Sequence, residues 1–191
     1  MSTQTRKLLS AITAAQYTRT IDHCRKIFVQ KTRDYGTAWR ILRLPSVTDQ
    51  IYIKAKRIRS IQEKGTQKVG DNIASEFMGI VNYSVIALIQ LGLSPTAPLE
   101  LSPDETEQAY SQTIAVTQAL QLDKNHDYDE AWRTMRVSSI TDIILMKLLR
   151  VKQIEDNAGR TLISEGVDAN YRDMINYAVY ALILLGEGEN N

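Results

Sequence analysis

One cysteine, two histidines and four prolines in 191 residues deny several kinds of chemistry their raw material. Cys24 has no partner for an intramolecular disulfide or a cysteine-based metal cluster, so it reads as the reduced thiol of an intracellular protein. His23 and His126 lack the paired spacing of a zinc site and read as incidental. There is no Gly-rich phosphate loop and no nucleophile elbow. Excess charge is missing too. Lys and Arg number 23 against 22 Asp and Glu, a formal net charge of +1, which argues against a chain whose main task is gripping nucleic acid. The N-terminus lacks the apolar run of a signal peptide. The longest apolar stretches, residues 85–91 and 178–185, fall short of a bilayer span. These absences predict a cytoplasmic protein with no membrane association.

What is there is a repeat. Tyr17-Thr-Arg-Thr-Ile21 recurs as Tyr110-Ser-Gln-Thr-Ile114, and Lys31-Thr-Arg-Asp-Tyr-Gly-Thr-Ala-Trp-Arg40 as Lys124-Asn-His-Asp-Tyr-Asp-Glu-Ala-Trp-Arg133, both at an offset of 93. Arg43, Ser46, Thr48, Asp49, Lys54 and Arg57 return as Arg136, Ser139, Thr141, Asp142, Lys147 and Arg150. After a one-residue slip, Asn82-Tyr-Ser-Val-Ile-Ala-Leu-Ile89 matches Asn176-Tyr-Ala-Val-Tyr-Ala-Leu-Ile183. One helical unit is written twice in tandem.

Helical periodicity runs throughout, and no stretch alternates with period two, so the fold class is all-α. Each copy reads as three long helices and a short one. The first spans about 13–32 and 103–122, and Ser102-Pro-Asp-Glu105 marks the second of these with a capping box. A short turn follows at about 38–42 and 131–135. The next helix starts at Ser46 and at Ser139, where Ser-x-x-Asp again matches a capping box. The last runs from about Asp71 to Leu91 and from Val167 to Leu185, with Gly92 and Gly186 as C-terminal caps. The expected layout is a single compact unit over 1–191: repeat 1 at 13–92, a linker at 93–102, repeat 2 at 103–186 and a disordered tail at 187–191. The apolar faces are too large to leave wet, so the halves should pack about a pseudo-two-fold axis. A homodimer stays open.

Charged residues at surface positions have little reason to survive a duplication unless they do something. Lys31, Arg40, Lys54, Arg57, Lys124, Arg133, Arg136, Lys147 and Arg150 are candidates for holding a phosphate chain, Arg in bidentate fashion and Lys as a point charge. Trp132 or Tyr128 would stack on a base, with Trp39 as the counterpart of Trp132; the alternative gives both tryptophans to the core. Asn82 and Asn176 sit in otherwise apolar helices and need partners, either in a neighbouring helix or in the site. Two readings stay open: an anion site for a nucleotide or phosphorylated metabolite, or a set of structural ion pairs. Asp49 and Asp142 are open in the same way, as Mg²⁺ ligands or as capping residues that explain their spacing without any ligand.

The series Lys-x-x-Asp-Tyr-x-x-Ala-Trp-Arg, then Asp-(x4)-Lys-x-x-Arg, then a late Asn-Tyr, resembles the bacterial nucleotide modification associated domain family, once per copy. That family is itself similar, more distantly, to the all-α nucleoside triphosphate pyrophosphohydrolases of the MazG and dimeric-dUTPase type. The likeness implies Mg²⁺ held by Glu-x-x-Glu on one helix and Glu-x-x-Asp on the next, with cleavage between the α and β phosphates. At the matching positions this chain has Asp49-Gln-Ile-Tyr52 and Asp142-Ile-Ile-Leu145, then Glu76-Phe-Met-Gly79 and Asn170-Tyr-Arg-Asp173. Each retains one carboxylate of the pair. The implied catalytic carboxylates are therefore Asp49, Glu76, Asp142 and Asp173, which a pseudo-two-fold packing could bring into one composite site, and the expected metal set, all in the second copy, is Asp142 and Asp173 with the nearby Glu165. Mg-dependent hydrolysis, binding alone and a purely structural module are the three functions this leaves.

Overall fold

The structure, a computed structural model, describes residues 3–66, 70, 72–94, 96–128, 130–163 and 165–186, with the side chains of 3–7 and 123–128 left aside. Six helices form: α1 (Thr3–Tyr35), α2 (Leu44–Lys64), α3 (Ile73–Gly92), α4 (Pro103–Tyr128), α5 (Val137–Asp156) and α6 (Val167–Leu184). Short 3-10 turns, Ala38–Ile41 and Ala131–Thr134, follow α1 and α4. The described residues contain no strand, so the fold is all-α.

Local chemistry explains most of the boundaries. Between Thr3 and Tyr35 there is no proline or glycine, so α1 extends beyond the expected 13–32 in both directions until Gly36. That glycine adopts φ +61, and its N–H bonds the Thr32 carbonyl at 2.8 Å, a left-handed stop that glycine makes without steric cost. At the start of α4 the capping box forms as read. Glu105 N–H bonds Ser102 Oγ at 3.2 Å and Ser102 N–H bonds Glu105 Oε2 at 2.8 Å. The Ser102 hydroxyl also donates to Glu105 Oε2 at 2.7 Å, and with the Ser102 N–H it holds the Glu105 carboxyl below its usual range.

Other boundaries differ from the sequence reading as well, and α4 runs past the expected 122 to Tyr128. Helix α2 starts at Leu44 with an extended Arg43 as N-cap, and α5 starts at Val137 after Arg136, so Ser46 and Ser139 lie inside the first turn and cap nothing. Pro45 suits the first turn because its fixed φ and missing N–H cost nothing there. Leu44 and Val137 gain apolar contact with the core by joining the helix. Gly186 caps α6 at φ +78, whereas Gly92 is the last helical residue of α3 and the chain leaves through an extended Leu93. Asp71 and the 187–191 tail lie outside the described residues.

Helix α2 packs on α3 and α5 on α6, while α3 also packs on α6 and α2 on α5. A hydrophobic core runs through all six helices and includes Tyr17, Ile51, Phe77, Val85, Tyr110, Ile144, Met174 and Val179. Helix α3 is long and apolar enough to cross a membrane by length and composition, although the apolar run 85–91 within it is too short to do so. In this fold 67% of its apolar window is buried inside the protein.

The copies are tied crosswise. Tyr17 of α1 donates from its hydroxyl to Asn176 Oδ1 on α6 at 2.8 Å. Its counterpart Tyr110 of α4 donates to Asn82 Oδ1 on α3 at 2.9 Å. The same exchange occurs on the α2–α5 face, where Lys152 bonds Asp49 at 2.5 Å and Arg59 lies 3.6 Å from Asp142. Positions 59 and 152 are themselves counterparts at the 93-residue offset.

Candidate functional site

A cavity of about 530 Å³ opens in the first copy between the C-terminal half of α1, the 3-10 turn, α2 and α3. Helix α1 brings Phe28, Lys31 and Tyr35 to it, one turn apart along a single face. The turn after Gly36 presents Trp39, α2 contributes Lys54, and α3 adds Glu76, Gly79, Asn82, Tyr83 and Ile86.

The electrostatics are set by three helices meeting. Glu76 is 6% exposed and accepts from Lys54 Nζ at 3.3 Å and from the Arg57 guanidinium. Lys54 Nζ also stands 5.8 Å from the centroid of the Tyr83 ring. The lysine lies across Gly79, where an added Cβ would come within 2.6 Å of Lys54 Cε. Lys31 is exposed and makes no ion pair among the described residues. The lining thus carries two ammonium groups against one carboxylate, which Arg57 also grips. The indole Nε1 atoms of Trp39 and of its counterpart Trp132 are both buried with no hydrogen-bond partner among the described residues.

Asn82 reaches this cleft, but both ends of its amide serve the core. Nδ2 donates to the Cys24 carbonyl at 3.0 Å and Oδ1 accepts from Tyr110. Cys24 is free and buried, and burial pushes its thiol up to about 12, so it behaves as a small apolar residue.

Other residues singled out from the sequence fall elsewhere. Arg40 turns to the inter-copy connection, bonding Gln90 Oε1 and the carbonyl of Ala97 at 3.2 Å. Thr37 holds the same segment through the Leu99 carbonyl at 2.7 Å and the Leu101 N–H at 3.1 Å. Arg133 grips Glu130 at 2.6 Å and Gln16 of α1 at 2.8 Å, with its guanidinium 4.5 Å from the Trp132 ring. Arg136 and Arg150 are exposed. Asp49 and Asp142 sit exposed on the α2–α5 face in their crosswise pairs. Glu165 is exposed just before α6. The side chains of Lys124, His126, Asp127 and Tyr128 lie outside the described residues.

The second copy arranges the corresponding positions differently. Lys147 pairs with Asp173, both almost enclosed at 12% and 13% side-chain exposure. Trp132 is stacked on Tyr180, with ring centroids 4.3 Å apart and an interplanar angle of 4°. Gln121 donates to the Tyr180 hydroxyl at 3.2 Å, and burial pushes that phenol up to about 12.

The proposed metal set does not assemble. Among the described residues, no three Asp, Glu, His or Cys side chains come together in a way that would hold a metal ion. Asp142 is with Arg59, Asp173 with Lys147, and Glu76 with Lys54 and Arg57. A Mg²⁺ ion bound with phosphates needs one or two carboxylates free to face it. The one carboxylate lining the cleft already serves two cations, so these donors do not fit that ion.

Fold and cleft together define a class: an all-α protein built from a doubled helical unit, with a basic and aromatic cleft inside the first unit. Residues 31–91 and again 124–185 match the model of nucleotide modification associated domain 1. The two segments cover more than half of the chain, and the protein belongs to that family. No curated protein and no solved structure matches the chain.

The sequence reading missed Gly79, Tyr83, Ile86 and Tyr180. Tyr83 stood in plain view beside Asn82 in the shared Asn-Tyr. At the other three the copies differ, so persistence through the duplication does not point to them, and Gly79 figures in the sequence only as a lost carboxylate.

Proposed function

We propose that the first-copy cleft binds a small phosphorylated molecule carrying a planar ring, a nucleotide being the natural case. The supporting observation is the meeting of Lys31 and Lys54 with Trp39 and Tyr83 around one cavity of about 530 Å³. That volume falls in the range of ligand pockets, which are mostly apolar with a few placed polar groups. The lysines offer point charges to phosphate oxygens, and the aromatic faces offer stacking to a base. The carboxylates are all engaged or scattered, so the reading is one of binding, and no hydrolytic step is derived.

A thermal-shift titration of the full chain with nucleoside mono- and triphosphates in EDTA tests this. A ligand present at 100 times its Kd stabilises by about 2.7 kcal/mol, which for a chain of this length raises Tm by roughly 5–11 °C. No shift with any nucleotide at millimolar concentration refutes the reading.

A second reading, a structural or interaction module, draws support from the shared charges that serve packing, such as Arg133 on Glu130 and Asp49 with Lys152. The two readings part at Lys31, whose replacement by alanine costs no ion pair. Loss of the parent's nucleotide response with Tm intact favours binding in this cleft, and a parent that shows no nucleotide response favours the module.

A further inference from the structure

We infer that the second copy is a self-occupied form of the first-copy cleft, and that Gly79 and Ile86 leave the first copy open to one ring-bearing phosphate monoester per chain. This rests on the binding reading above. At the offsets of the repeat, Trp39 corresponds to Trp132 and Lys54 to Lys147, while Ile86 corresponds to Tyr180 and Gly79 to Asp173. The lysine and tryptophan are kept. What faces them has changed.

In the second copy the protein itself supplies a ring and an anion. Tyr180 lies flat against Trp132 at 4.3 Å, the separation and orientation of a stacked base. Asp173 delivers a carboxylate to Lys147 from the position that is glycine in the first copy. In the first copy the ring is missing, and the carboxylate that faces Lys54 comes from Glu76, one turn earlier, so the place of Asp173 is left open. Ile86 is an edge of the cavity beside Trp39, and Gly79 leaves no side chain between the α3 backbone and Lys54. A ligand that takes the places of Tyr180 and Asp173 has one planar ring and one anionic group within reach of each other, as in a nucleoside monophosphate. A monoester carries about −2, which matches the charges of Lys31, Lys54 and Arg57 less that of Glu76. A triphosphate brings additional charge with neither further lysines in the lining nor carboxylates placed to hold a neutralising metal.

Isothermal titration of the full chain in EDTA, with adenosine monophosphate, thymidine monophosphate and adenosine triphosphate as probes, tests the assignment. The expected stoichiometry is one monophosphate per chain, with the triphosphate weaker. Gly79→Asp and Ile86→Tyr each import a feature of the second copy and should weaken monophosphate binding about tenfold or more, with melting temperature recorded to show that each variant folds. The double variant Asp173→Gly/Tyr180→Ile should raise the stoichiometry to two. Binding by Gly79→Asp and Ile86→Tyr with parental affinity, two sites in the parent, or tighter binding of the triphosphate overturns this assignment while leaving the binding reading intact. If no probe binds the parent, both fall together.

Discussion

Neutralising Glu76 should move stability and ligand affinity in opposite directions. The carboxylate is 6% exposed, and it accepts from Lys54 at 3.3 Å and from Arg57, whose side chains keep 26% exposure. At an effective dielectric of about 20, a unit charge pair at that separation attracts by roughly 5 kcal/mol before hydration is counted. Returning two part-exposed cations to water offsets much of this, leaving a loss of about 2–3 kcal/mol for Glu76→Gln. For a chain of this length each kcal/mol shifts Tm by about 2–4 °C, so thermal unfolding followed by circular dichroism should fall by roughly 4–12 °C. The same substitution removes the one negative charge lining the cleft, so monophosphate affinity should rise. The second copy suggests the repair. It carries Asn170 and Asp173 where the first has Glu76 and Gly79, so Glu76→Asn/Gly79→Asp should recover most of the lost stability while closing the cleft to anions. A Tm for Glu76→Gln within about 2 °C of the parent, or a double variant no more stable than Glu76→Asn alone, would show that the pairing energy was misjudged.

Two further outcomes follow from the crosswise contacts. Tyr110→Phe leaves Asn82 Oδ1 buried without its donor and should cost about 1–3 kcal/mol; Tyr17→Phe should cost the same through Asn176, and urea denaturation midpoints for the pair check both. Glu155, against Thr48 at 2.7 Å and Tyr171 at 3.3 Å, has its carboxyl raised chiefly by burial. A carboxyl raised on folding contributes stability below its unfolded pKa and loses it as pH rises through the folded value. Glu155→Gln should therefore raise Tm at neutral pH, with the gain vanishing below about pH 4, and equal Tm differences at both pH values would refute the burial argument. Position 62, its counterpart in the first copy, is already glutamine and bonds Thr141 at 3.1 Å.

Much of the fold was legible in the sequence, because the signals were local. Gly36 ends α1, Ser102 and Glu105 open α4, and the alignment of the copies supplied the helix order twice over. The starts of α2 and α5 were misplaced because Ser-x-x-Asp looks the same whether or not the helix begins upstream of it. The cleft's shared residues, Lys31, Trp39, Lys54 and Arg57, were named from persistence alone. Their partners were not, since those depend on tertiary packing. Nothing in the spacing around Asp49 announces that Lys152, more than a hundred residues away, will meet it.

Persistence through a duplication has two causes, and the partners separate them. Tyr17 and Tyr110 meet Asn176 and Asn82, and Asp49 and Asp142 meet Lys152 and Arg59, so both members of each pair recur and each contact joins one copy to the other. Losing one member would break the joint between halves, and packing alone is reason enough to keep it. Lys54 and Trp39 recur differently. Their counterparts are kept, yet what faces them differs: Glu76 for Lys54 but Asp173 for Lys147, an open cavity for Trp39 but Tyr180 for Trp132. Each lysine keeps a carboxylate, drawn from a neighbouring position of the facing helix, so pairing alone accounts for its recurrence. The tryptophan is different: Trp132 has the Tyr180 ring stacked on it, Trp39 has a cavity, and the proposed ligand is what would give the first copy a ring in that place.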